Sequence, residues 1–264
     1  MVLSELFLYF CRLKEVKMAN QSNQVNVFIP CDMDMFSPQV AESVVQLLEK
    51  LGLEVHYNAE QTCCGRKFYF SGETECARDL GAKMMSEFEG SKCPLVIPSA
   101  ACAGFIRKYY GSLLTNVSVV NDLKNFIANT YELCDFIVNK LGVTKLNNRF
   151  SERVFYFKSC AARNMYEMED EAEILLRNTD GLELLTDPEM TGCCSANGRF
   201  SVINPEMSDQ MIEKIITKIY SMGAQYVTST DIHCLQHFDA FIQAKGIGLE
   251  VIHIADILNS EGKN

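Results

Sequence analysis

The sequence is short of positive charge. Its 24 Lys and Arg stand against 34 Asp and Glu, a formal net charge of −10. A nucleic-acid binder needs a basic face to replace phosphate counterions, so this balance argues against that class. Long hydrophobic runs are also missing. The segment ELFLYF, residues 5–10, carries Glu5 and is far too short to span a bilayer. The basic start and small-residue cleavage site of a secretory signal are absent as well, and the expectation is a cytoplasmic protein without a membrane span. No stretch rich in proline, glycine and serine divides the chain. Neither a G-x-G-x-x-G fingerprint nor a G-x-S-x-G elbow occurs, so hydride chemistry on a nicotinamide or flavin is not evident here.

What the chain does have is cysteine, 12 in 264 residues. Disulfide frameworks belong to small secreted domains. This chain is neither small nor visibly secreted, so metal or redox chemistry is the better reading. Hydrophobic residues make up 48% and charged residues 22%, enough for a sizeable core in one large domain or two lobes of about 130 residues.

The chain repeats itself. GLEVHYNAEQTCCG begins at Gly52 and GLELLTDPEMTGCCS at Gly181, 129 residues later. Cys31 and Cys160 share that offset. Cys63/Cys193 and Cys64/Cys194 are 130 apart, and Cys102/Cys234 are 132 apart. Four cysteines therefore recur in order, with drift that loop insertions explain.

Each half alternates strands and helices. VNVFIP (25–30) and RVFYF (153–157) read as buried strands, each followed closely by a cysteine. Ser37-Pro38 predicts a helix start, with Val40, Val44, Leu47, Leu48 and Leu51 on one face and Gly52 at its end. Asn204-Pro205 starts a second helix, lined by Ile212, Ile215, Ile216 and Ile219. Its counterpart in the first half is expected to turn Cys76, Leu80, Met84 and Phe88 inward. PLVIPS, QYVTST and LEVIHI complete the strands. The fold class is α/β, with two similar Rossmann-like lobes of mainly parallel sheet related by a pseudo-two-fold. The boundaries expected are an N-terminal extension at 1–23, a first lobe at 24–145 and a second at 146–264. Because Met18 opens MANQSNQVNVFIP, residues 1–17 read as an upstream extension without a part in the fold. In parallel sheets ligands bind at the carboxyl ends of strands, and the cysteines are placed there.

Sets of four thiolates hold iron–sulfur clusters or zinc. Adjacent cysteines suit a cluster, where each sulfur has its own iron, better than one tetrahedral zinc. Gly65 allows a positive φ or a close backbone approach.

The two C…CCG…C arrays, with CDMDMFSP, QTCCG, PSAACAGFIRKYY, TYELCDFI, TDIHCLQH and HIADIL around them, resemble the cysteine-rich CCG-domain family of iron–sulfur oxidoreductases. That family includes the cysteine-rich component of heterodisulfide reductase, and the likeness is strongest to its lactate-utilisation branch, over about residues 24–260. The resemblance implies a cytosolic protein that works with two partner subunits to oxidise L-lactate to pyruvate. It implies one or two 4Fe–4S clusters on Cys31, Cys63, Cys64 and Cys102, then on Cys160, Cys193, Cys194 and Cys234. Two departures stand out. The five-cysteine form of the domain ends in C-x-x-C, whereas here Ser99 and Asp231 hold the fifth place. That argues against the double-cubane clusters and disulfide reduction of the heterodisulfide enzymes, the alternative function. Ser195 stands where the motif has glycine, so the second site is expected to differ from the first.

His237 lies three residues after Cys234 and is a further candidate metal ligand. His233, His56 and His253 show no pattern and read as structural. Arg66, Lys67 and Arg199 either balance the negative charge of a thiolate-bound centre or are solvated loop charges. Cys11, Cys76, Cys93 and Cys134 lie outside the repeat and read as small buried hydrophobes. The alternative to a cluster is a zinc-stabilised scaffold without catalytic function.

Overall fold

The computed structural model describes residues 23–115, 120–196 and 199–261. Two four-stranded sheets, all parallel, repeat one topology. The first contains β1 (Gln24–Val27), β2 (Glu54–Tyr57), β3 (Leu95–Ile97) and β4 (Thr130–Glu132), in the order β2-β1-β3-β4. The second contains β5 (Arg153–Tyr156), β6 (Glu183–Leu185), β7 (Tyr226–Ser229) and β8 (Glu250–His253), in the order β6-β5-β7-β8. Register repeats as well. Val25 pairs with Val55, and Val154, 129 residues on, pairs with Leu184. The α/β reading with two similar parallel lobes holds.

This strand order fixes where a ligand sits. The chain leaves β1 for one side of the sheet and reaches β3 on the other, which makes a switch point between them at the strands' carboxyl ends. Cys31 follows β1, Cys102 follows β3, and the Cys63-Cys64 loop follows β2. The second sheet repeats this with β5, β7 and β6.

The helix Pro38–Lys50 buries Val40, Val44, Leu47 and Leu48, as the 3.6-residue period requires. Full burial of each such side chain contributes about 1.5–3 kcal/mol. Ser37 occupies the N-cap position but makes no side-chain capping bond, and the same is true of Asn204 before the helix Pro205–Ser221. That second helix buries Ile212, Ile215, Ile216 and Ile219. The helix Thr74–Glu87 corrects the sequence reading in part: Met84, and Phe88 just past its end, are buried as expected, but Cys76 and Leu80 are not. It buries Ala77, Gly81 and Met84, while Cys76 is exposed. Its small residues let the helix approach Gly65 and Tyr110 closely, and a reading based on hydrophobicity favours Leu80 over Gly81. Cys134 is buried as expected, Cys93 is half-buried, and Cys11 lies outside the described residues, as does nearly all of the expected extension.

The lobes do not meet as separate bodies. Each sends the helix after its last strand to the other. Ile254–Asn259 packs on Pro38–Lys50, where Lys50 Nζ donates to the Asn259 carbonyl at 3.1 Å and Asn259 donates to Gln46 Oε1 at 2.9 Å. In the other direction, Leu133–Asp135 and the π-turn Phe136–Lys140 pack on Glu171–Arg177, with Asn139 donating to Glu171 Oε1 at 2.9 Å. One apolar core accordingly runs from Val25 and Leu48 to Leu175 and Ile257. Near its centre the helix Ala100–Leu113 touches the π-turn Ala162–Tyr166 at Gly104, where a Cβ would meet the Tyr166 nitrogen at 2.7 Å. Only glycine permits that approach.

Candidate metal centre

Each lobe gathers its four array cysteines by the same means. β1 is followed by Pro30 and then by Cys31 on a short helix, Cys31–Phe36. The loop after β2 presents Cys63 and Cys64 and turns sharply at Gly65, with φ of 83°. Cys102 lies in the first turn of Ala100–Leu113, which Ser99 caps by accepting from the Cys102 N–H at 3.3 Å. Cys160, Cys193, Cys194 and Cys234 occupy the same stations in the second lobe. In both sets two thiols are half-buried at the mouth, Cys31 and Cys63 or Cys160 and Cys193. The other two, Cys64 and Cys102 or Cys194 and Cys234, are buried.

The sulfurs pair closely. Cys31 and Cys63 Sγ are 3.7 Å apart, Cys160 and Cys193 3.5 Å, and Cys194 and Cys234 2.6 Å. Hydrogen bonds within each set divide the protons unequally. The Cys31 thiol bonds to Cys63, and with help from Cys64 and the Gly65 N–H it pulls the Cys63 pKa well down, while Cys31 is pushed up. Cys193 is lowered in the same way by Cys160, Cys194 and the Ser195 N–H. Bonds from Cys102 and Cys63, then burial, push Cys64 up, and Cys193 and Cys234 do the same to Cys194. One thiolate is thus ready in each set. The Gly65 and Ser195 N–H groups donate to it at 3.4 and 3.3 Å. Among the described residues no three ligand side chains converge at metal-binding distance. The donor chemistry fits a thiolate-bound metal nonetheless: four soft ligands, two of them buried, with backbone donors aimed at sulfur. In the second lobe Cys160, Cys193, Cys194 and Cys234 line one cavity of about 240 Å³, which Arg66 and His233 also border.

Ser195 keeps the glycine-type turn. Its φ is 61°, left-handed like Gly65, although it carries a side chain. Its hydroxyl lies 2.7 Å from the Ser208 hydroxyl and 3.3 Å from His237 Nε2. His237 Nε2 is also 3.0 Å from Ser208 Oγ, which places this ring on the loop's hydroxyls. The two residues at the fifth cysteine place meet each other across the lobes. Ser99 Oγ donates to Asp231 Oδ1 at 2.9 Å, the Ala101 N–H donates to the same oxygen at 2.7 Å, and the Ser159 hydroxyl donates to Oδ2. All four residues are buried.

Sequence reasoning missed a charged cluster beside the first set. Asp32, buried, bonds Lys67 Nζ at 2.6 Å and His233 Nε2 from the other lobe. Burial raises the Asp32 pKa, but the bonds from His233 and Lys67 outweigh it and hold the carboxyl below its ordinary range. Burial lowers His233. The available signal was adjacency, since Asp32 follows Cys31 and His233 precedes Cys234. Arg66 is buried, whereas Arg199 is exposed.

A family profile for the cysteine-rich domain, CCG, matches residues 25–107 and again 154–239. The chain is 32% identical over 237 residues to lactate utilization protein A of Bacillus cereus (strain G9842), covering 90% of this chain and 99% of that one. It is 33% identical over 235 residues to the protein of that name from Anoxybacillus flavithermus (strain DSM 21510 / WK1), covering 89% and 98%. Among solved structures, a hypothetical protein from Helicobacter pylori superposes with a TM-score of 0.62 at 13% identity, over 93% of this chain, which spans half the length of that one. That likeness concerns the fold alone. No helix among the described residues is long and apolar enough to cross a membrane.

Proposed function

The chain belongs to the cysteine-rich CCG domain family, and from that membership we propose that it is the iron–sulfur electron-transfer subunit of a system oxidising L-lactate to pyruvate. What carries the reading is the pair of four-cysteine sets at equivalent switch points, in a chain similar over 90% of its length to lactate utilization protein A. Cys31, Cys63, Cys64 and Cys102 would hold one centre, in a lobe spanning residues 24–145. Cys160, Cys193, Cys194 and Cys234 would hold the other, in a lobe spanning 146–264, with His237 beside that loop as a further candidate ligand. A four-thiolate cluster supplies one-electron transfer at a potential set by its surroundings. The chain's own residues prepare for it. Cys63 and Cys193 offer thiolates, and the Gly65 and Ser195 N–H groups stabilise charge on those sulfurs. The buried cysteines of each set keep water from one side.

Lactate gives up two electrons and two protons on becoming pyruvate. The chain carries no dinucleotide fingerprint, so that carbon chemistry falls to two partner subunits in the cytoplasm, and this chain relays the electrons. One observation favours a second reading, structural zinc. Sulfurs 3.5–3.7 Å apart approach the spacing of about 3.8 Å that two thiolates take on one tetrahedral zinc.

Iron, sulfide and zinc analysis of anaerobically purified protein, with low-temperature EPR, separates the two. Iron and sulfide for two clusters per chain are expected. Zinc without iron replaces the first reading with the second. Growth of a deletion strain on L-lactate at the wild-type rate would remove the lactate assignment and leave the metal centre standing.

A further inference from the structure

The two cysteine sets differ in what stands between them and the facing lobe. Asp32, next to Cys31, bonds His233 of the second lobe. At the repeat's offsets of 129 and 132, the positions equivalent to this pair are Ala161 and Ala101. The relation that puts a carboxylate and an imidazole together at the first set therefore puts two alanines at the second. A third exchange runs the same way, since Arg66 has Ala196 as its equivalent at the offset of 130. All three alanines line the cavity of about 240 Å³ at the second set. Small side chains at three equivalent places leave space there that long polar side chains take up at the first.

The other walls define what the space admits. The first lobe contributes Phe70 and Tyr109, whose rings stand 5.6 Å apart at 84° and form an aromatic corner. Phe70 is 39% exposed, so the corner has room for a third ring, edge-to-face on one and stacked on the other. The second lobe contributes His233. Its Nε2 faces Asp32, a carboxylate that only accepts, so in the neutral ring this nitrogen carries the proton and Nδ1 is an acceptor. Nδ1 is buried, on a side chain 10% exposed, and has no hydrogen-bond partner among the described residues. A buried acceptor left unpaired costs free energy that a bound donor returns. Arg66 borders the cavity too and is engaged by interactions of its own. The volume lies below the roughly 300–1,000 Å³ of pockets for drug-sized ligands, which leaves out a flavin or a dinucleotide and suits one ring. We propose that this cavity binds a single-ring hydroxyaromatic molecule of the phenol class, with its ring in the Phe70–Tyr109 corner and its hydroxyl donating to His233 Nδ1. The site needs no metal on the thiols, so it goes beyond the electron-transfer reading and stands apart from it.

The test titrates the full chain, anaerobic and with reductant, with 4-fluorophenol followed by fluorine NMR. One molecule is expected to bind per chain. Fluorobenzene, which has the ring without the hydroxyl, should bind about tenfold more weakly for want of one buried hydrogen bond. A161L fills the space beside the second set and should weaken 4-fluorophenol by about tenfold or more. A101L fills it from the other lobe and replaces A161L if circular dichroism shows that the first variant disturbs folding. C76S, on an exposed side chain, leaves binding unchanged. L-Lactate at equal concentration should not displace the probe. Equal binding to the filled variant, displacement by L-lactate, or no preference for the phenol over fluorobenzene overturns the proposal. The titration is repeated after loading with iron and sulfide. Binding that vanishes on loading also overturns it, because the cavity then belongs to the metal alone. Protein that takes up no metal and still binds the probe removes the metal-centre reading and leaves this site standing.

Discussion

The two Cys-Cys loops reach the same backbone shape by different means. In the first lobe the turn residue is Gly65, and the helix Thr74–Glu87 lies so close that a Cβ would meet the Ala77 carbonyl oxygen at 2.8 Å. In the second lobe the turn residue is Ser195, and the corresponding helix, Pro205–Ser221, presents Ser208 to it. The first loop is held by close packing and the second by a hydroxyl pair joined to His237. The departure from the glycine motif therefore changes how the loop is supported and leaves its shape intact. Each design tolerates a change that the other does not.

The largest expected effects come from emptying one lobe at a time. C63S/C64S and C193S/C194S should each halve the bound metal per chain, measured by elemental analysis. Loss of all metal in either variant would mean that the two centres assemble as one. G65S is the sharper challenge. Although serine serves in the second lobe, here it meets backbone, and overpacking with left-handed strain should cost roughly 3 kcal/mol. Chemical denaturation reads that loss, and metal should leave the first set only. D231N breaks the contact that the two lobes share at the fifth-cysteine places. Loss of charge from an acceptor with three donors should cost roughly 2–3 kcal/mol, again by denaturation, with no preference for either centre.

The lobes also differ in the residue that caps each exchanged helix. Glu132 accepts from the Cys134 and Asp135 N–H groups, whereas His253 Nδ1 accepts from the Ala255 N–H. Burial lowers the His253 pKa to about 4 and raises that of Glu132. Between about pH 6.5 and 4 the unfolded chain binds a proton at His253 that the folded chain does not, so the contribution of His253 to stability rises with pH across that window, while Glu132, protonated more readily in the folded chain, contributes in the opposite sense. Acidification from neutral to pH 5 should remove about 2 kcal/mol of the His253 contribution, read as the difference in pH dependence between wild type and H253N. H253N keeps a capping oxygen and should flatten that slope, measured by thermal or urea unfolding at several pH values. The smallest effect belongs to S195G. It relieves the left-handed strain but gives up the bond to Ser208, for a net change under about 1 kcal/mol.

Much of this was legible in the sequence. The repeat of four cysteines at nearly constant offset indicated two lobes. Short apolar runs ending just before cysteines indicated which edge of the sheet they share. The burial stripes of Pro38–Lys50 and Pro205–Ser221 followed from periodicity, because large aliphatic residues mark those faces. The stripe of Thr74–Glu87 followed only at Met84 and Phe88, because Ala77 and Gly81 face inward for their small size, a requirement set by a neighbour distant in sequence. The Asp32–His233 pair, the burial of Arg66 and the Ser99–Asp231 contact were invisible for a related reason. Each joins one half to the other, and a repeat seen in sequence says that two units exist without saying which faces meet.

The exchange of last helices bears on what the ancestral unit was. A half of this chain standing alone leaves the face of Pro38–Lys50 that Ile254–Asn259 covers open to water. Two copies of that half, each lending its final helix, would cover one another as the halves do here. The duplicated unit is thus one that is complete only as a pair. Joining the copies in one polypeptide made the pairing intramolecular, which replaced a concentration-dependent encounter with a fixed, high local concentration. Once the partners could no longer separate, their sequences were free to diverge. Arg66 at the place of Ala196, and Gly65 at the place of Ser195, are differences of that kind.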